Sequence, residues 1–77
     1  MYNVNDFNSW IISLGNSKPY KIMLKNGAGF YQLIFLYDSY HYSDEISFDD
    51  LKNQMDCQKK VLKMCAVFEQ NIKLKKF

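Results

Sequence analysis

Apolar positions change rhythm along this chain, and each rhythm marks an element. Val4, Phe7, Ile11 and Leu14 recur at helical spacing. Asn5 is placed to cap that helix, Asp6 suits its first turn, and Gly15 sits where a helix stops. Trp10 flanks the stripe and Asn16 to Pro19 reads as a loop. The period then drops to two. Tyr20, Ile22 and Leu24 alternate with Lys21, Met23 and Lys25, which predicts a strand. Asn26-Gly27 is a strong hairpin signal, because both positions of the favoured turn need positive φ. A second strand follows over Phe30 to Tyr37.

A turn at Asn26-Gly27 fixes a register. Met23 then faces Phe30, Ile22 faces Tyr31, Lys21 faces Gln32 and Tyr20 faces Leu33. One face carries Tyr20, Ile22, Leu24, Tyr31, Leu33, Phe35 and Tyr37, and the other Met23, Phe30, Ile34 and Leu36 beside the Lys21–Gln32 pair. A turn near Asp38-Ser39 leads to a third strand, Tyr40 to Ile46, with Tyr40 and Tyr42 toward the core and His41 away from it.

Helical spacing returns after Ser47, whose sequence Ser47-Phe48-Asp49-Asp50 has the form of a capping box. Cys57, Val61, Met64, Cys65, Phe68 and Ile72 make one stripe. Phe48, Leu51 and Met55 lie on a rotated stripe, so the helix bends or restarts near Asp56. The tail, Ile72 to Phe77, is left open between a frayed end and a short strand. The expected fold is α+β: a single small domain over 1–77 in the order α-β-β-β-α. Both helices cover one face of a three-stranded antiparallel sheet. The core should contain Phe7, Ile11, Leu14, Ile22, Leu24, Leu33, Phe35, Val61, Cys65 and Phe68.

Composition supports a folded chain. The apolar share of 48% and aromatic share of 17% argue against disorder. At 77 residues the stability is expected to be small, on the order of 3–5 kcal/mol. No apolar run approaches a membrane span, and Met1 to Asp6 lacks the pattern of a secretion signal, so the chain is expected to be cytoplasmic. Cys57 and Cys65, eight apart on one helix, lie about 12 Å apart and should be unbridged. Every basic residue is Lys and none is Arg, which points to an AT-rich coding sequence. A net charge of +2 is too small to imply nucleic acid by itself.

The search for chemistry yields little. His41 has no second ligand at metal spacing. Cys57 lies near a helix N-terminus with Lys59 and Lys60 close by, so a reactive thiol, alone or with His41, is a remote reading beside a core thiol. Asp44, Glu45, Asp49 and Asp50 read as loop and first-turn acids, and Lys25-Asn26-Gly27-Ala28-Gly29 as a hairpin, not a phosphate loop. No cofactor and no metal are expected, and the chain is not expected to be an enzyme.

The lysines carry more. Lys52, Lys59 and Lys63 fall within about 40° on one helical wheel, with Lys60 adjacent. The stretch Lys59-Lys60-Val61-Leu62-Lys63-Met64-Cys65-Ala66 together with the element order resembles the double-stranded-RNA-binding domain in architecture. That family starts its last helix with a similar basic run. The tight first hairpin and about ten extra residues before the lysines depart from its pattern. The resemblance implies nucleic-acid binding through the stripe, which is the alternative expectation here.

The first expectation is a small inhibitor of phage or mobile-element type, whose partner is a host protein such as a CRISPR-type antiviral nuclease complex. Small AT-rich chains without enzyme motifs commonly have that role. The expected partner-binding residues are Met23, Phe30, Ile34, Leu36 and His41 on the open sheet face, then Lys52, Lys59, Lys60 and Lys63 on the helix. A homodimer is a further candidate to cover the open face.

Overall fold

The computed structural model describes residues 2–74. Helix α1 spans Val4–Asn16, strands β1 Lys21–Asn26, β2 Phe30–Tyr37 and β3 Tyr40–Ser47, and helix α2 Gln54–Leu74. A 3₁₀ turn, Asp50–Lys52, precedes α2. The antiparallel sheet has the order β1-β2-β3, as the alternating pattern predicts.

Helix α1 starts two residues earlier than expected. Asn3, not Asn5, is its cap: the Asn3 side chain accepts from the Asn5 N–H at 2.7 Å, and its carbonyl accepts from the Phe7 N–H. Gly15 does not stop the helix, which runs to Asn16 with Ser17 as its C-cap. The segment before the cap is also fixed, since the Tyr2 N–H donates to the Leu51 carbonyl.

The first hairpin corrects the expected register. Asn26 and Gly27 both have ordinary φ; among the glycines only Gly29 is positive, at 79°. The two loop residues are Ala28 and Gly29, and the Gly27 N–H donates to the Phe30 carbonyl at 2.9 Å. Moving the turn by two residues moves the partner by four. Ile22 therefore faces Phe35, Leu24 faces Leu33, Lys25 faces Gln32 and Lys21 faces Leu36. The Lys21–Gln32 pair does not form. Because the slip is even, every side chain stays on its expected face. The observed register places Ile22 beside Phe35 and Leu24 beside Leu33, which is its energetic advantage. The second turn falls at Asp38-Ser39 as expected, with Asp38 taking φ 57°, a conformation Asp tolerates.

The capping box forms reciprocally but closes the 3₁₀ turn, not a long helix. The Ser47 N–H donates to Asp50, and the Asp50 N–H donates to the Ser47 hydroxyl. Asn53 is extended (φ −130°, ψ 114°), so the chain breaks there and α2 begins anew. The Asn53 side chain then accepts from the Asp56 N–H. Residues 71–74 continue α2; the expected tail beyond them lies outside the described residues.

Both helices cover one face of the sheet and share one core. Phe7 and Ile11 from α1 meet Ile22, Leu33, Phe35 and Ile46 from the sheet and Cys57, Val61, Cys65 and Phe68 from α2. Phe68 sits at its centre, with the rings of Tyr20, Tyr40 and Phe35 at 4.9, 5.3 and 5.4 Å. Leu14 and Leu24, expected in the core, are only partly buried, at its margin. Tyr20, Cys57 and Met64, from the expected core-facing stripes, are buried in it, and Tyr2, Ile46 and Leu51 join it unpredicted.

Candidate docking surfaces

The sheet face away from the helices is organised in rows set by the register. Lys21, Leu36 and His41 form one row, Met23, Ile34 and Ser43 the next, and Lys25, Gln32 and Glu45 a third. The apolar residues on this face are thus Met23, Ile34 and Leu36 in two adjacent rows. Phe30, expected among them, stands beyond the Gln32 row at the hairpin end, its ring over Gly27. A Cβ on Gly27 would lie 2.6 Å from that ring, so the glycine provides the room. At the other end an open groove of about 890 Å³ runs from Ile12 and Gly15 past Pro19 and Tyr20 to Met23 and Leu36. Ile12 is exposed and extends the apolar surface around the β1 edge. A smaller groove of about 410 Å³ lies between Tyr2, Val4, Tyr31, Phe48 and Leu51.

The lysine stripe does not survive as one surface. Lys52 belongs to the 3₁₀ turn and cannot share a wheel with α2 across the break at Asn53. It pairs with Asp49 at 3.1 Å in full exposure, a contact worth little. Lys60 pairs with Asp50 at 2.7 Å. Burial raises the Asp50 carboxyl, but hydrogen bonds from Lys60 and Ser47 outweigh it and hold the group below its ordinary range. Lys59 and Lys63 make no ion pair among the described residues.

The outer surface of α2 has a feature the sequence reading missed. Met55 is 66% exposed, Leu62 46%, Val67 44% and Leu74 49%. At 100° per residue, Met55 and Leu62 stand on one side of the helix two turns apart, with Ala66 one turn beyond. Val67 and Leu74 make a second ridge by the same spacing. Lys59 and Lys63 occupy the strip between the ridges. The signal was present as two seven-residue intervals, but the Cys57–Ile72 stripe was stronger and drew the assignment.

Neither nucleophile candidate is placed for chemistry. Cys57 is fully buried, and burial first, then the Asp50 charge, pushes its thiol up to about 11 despite Lys60. His41 is exposed on the open sheet face, so the sheet separates it from Cys57. Both cysteines are free. Among the described residues no group of three His, Cys, Asp or Glu could hold a metal ion, and no helix is long and apolar enough to cross a membrane. No family model matches the chain, and no curated protein or solved structure matches it.

Proposed function

We propose that the chain is a non-catalytic protein-binding inhibitor that acts in the cytoplasm and docks through the outer face of α2. Its proposed target is a host protein of the RNA-guided antiviral nuclease class. The observation that carries the docking reading is the exposure of Met55, Leu62, Val67 and Leu74 on both sides of Lys59 and Lys63. Covering the exposed half of Leu62 would contribute on the order of 1 kcal/mol, and each of the other three a similar amount. The ammonium groups between the ridges ask for carboxylates, so the surface fits an apolar cleft with an acidic floor. The target class rests on small size and on the lysine-only, AT-rich composition common in mobile genetic elements.

Nucleic acid is the weaker reading. Two of the four lysines that suggested it stand beside Asp49 and Asp50, and Asp56 shares that end of α2, so the local charge is mixed. Phosphate binding needs accumulated unpaired cations.

The test is target cleavage by a purified RNA-guided nuclease complex with the chain added at micromolar concentration. Wild type is expected to suppress cleavage, and Leu62→Asp to weaken suppression at least about tenfold, the equivalent of 1.4 kcal/mol. Duplex RNA and DNA titrated at two salt concentrations should show no comparable affinity. Undiminished cleavage together with steeply salt-dependent duplex binding would replace this reading with the nucleic-acid one.

A further inference from the structure

Among the described residues, the open sheet face carries apolar side chains, an unpaired Lys21 in the row of Leu36 and His41, and two opposite unpaired charges in a further row. Lys25 on β1 and Glu45 on β3 flank Gln32 in one cross-strand row. Both are exposed, and neither makes an ion pair among the described residues. Two strand spacings of about 4.8 Å separate their backbones, so they do not neutralise each other across the central strand.

We infer that this face is covered by a second copy of the chain, in a face-to-face dimer whose two-fold axis runs along β2. Such an axis lays β1 of one copy over β3 of the other and keeps each row in step. Lys25 of each copy then lies over Glu45 of its partner, giving two reciprocal ion pairs. Ile34 meets Ile34, Leu36 meets Leu36, and the two Gln32 amides can exchange hydrogen bonds. Stacked sheets lie about 10 Å apart with strands nearly aligned, a gap that lysine and glutamate side chains span together. A two-fold axis perpendicular to the strands in the interface plane, centred on the Ile34 row, would instead set Lys25 against Lys21. The axis along β2 also lays Lys21 of each copy over the partner's His41, so opposite charges match in the Lys25–Gln32–Glu45 row alone, where one closed symmetry operation satisfies both copies. The interface is small, so the dimer should be weak. Because the helices lie on the opposite face, dimerisation leaves both α2 surfaces outward, and the inference stands apart from the target proposed above.

Sedimentation equilibrium of the intact chain, at concentrations up to about 1 mM, tests it. Wild type should dimerise. Lys25→Glu places Glu over Glu, and Glu45→Lys places Lys over Lys, so each variant alone should be monomeric. Mixed in equal amounts, the two should form a heterodimer, because both contacts between positions 25 and 45 then regain opposite charges. The double variant should dimerise like wild type. These positions are exposed, so circular dichroism should confirm an unchanged fold. A wild type that stays monomeric overturns the inference, and so does a mixture that fails to associate.

Discussion

Glu69 shows how one exposed carboxylate can tie distant parts of the chain. Its Oε2 accepts from the Lys18 ammonium at 2.8 Å and from the Tyr20 hydroxyl at 2.5 Å, joining the α1–β1 loop to α2. The Lys18 hydrogen bond first, then that from Tyr20, lowers the Glu69 pKa. A carboxylate whose folded pKa is depressed stabilises the fold above its unfolded pKa, and the contribution is lost as pH falls through the folded value. Because the Glu69 side chain is 44% exposed, solvent screening limits the effect. Glu69→Gln should therefore cost roughly 0.5–1 kcal/mol at pH 7, read from urea midpoints. The difference from wild type should shrink as pH drops below the ordinary carboxylate range. A constant difference down to pH 2 would mean the charge does not matter. None of this was legible in the sequence, since Lys18 and Glu69 are 51 residues apart and carry no pattern. The face of Tyr20 was legible, because strand alternation needs only its neighbours.

Elements were read well where periodicity decides and poorly where a single backbone angle decides. Three strands, two helices and both sheet faces follow from alternation and helical spacing alone. The hairpin turn does not, because Asn26-Gly27 and Ala28-Gly29 compete within four residues. Cross-strand packing of Ile22 with Phe35 and Leu24 with Leu33 settles the matter far from the turn. The break at Asn53 was visible only as a rotation between two stripes, and the capping box marked the 3₁₀ turn rather than α2. This placement of the turn is testable. Gly29 has open space around its missing Cβ, so the penalty of Gly29→Ala is backbone strain alone, about 1–2 kcal/mol. Gly29→Asn should recover part of it, because Asn visits that region more readily. If thermal melts show no loss for Gly29→Ala, the positive φ is not at that residue.

The whole molecule is a thin two-layer body with one surface turned each way. One side of the sheet is filled by α1 and α2 around Phe68; the other carries Met23, Ile34 and Leu36, with Lys21 and Lys25 on the β1 edge and Glu45 on the β3 edge. The sequence suggested the second surface and overstated it, since Phe30 stands apart and Lys21 pairs with Leu36. It hid the third surface, the outside of α2, because exposed ridges on a helix compete with a longer buried stripe for the same periodic signal. In the proposed arrangement the target docks on α2 while the sheet face serves self-association. Calorimetric titration of a purified RNA-guided nuclease complex with wild type, Leu62→Asp and Ile34→Asp separates the two surfaces. Leu62→Asp should bind at least about tenfold more weakly than wild type, while Ile34→Asp should bind as wild type does and remain monomeric. Binding kept by Leu62→Asp and lost by Ile34→Asp would contradict this arrangement and assign the target to the sheet.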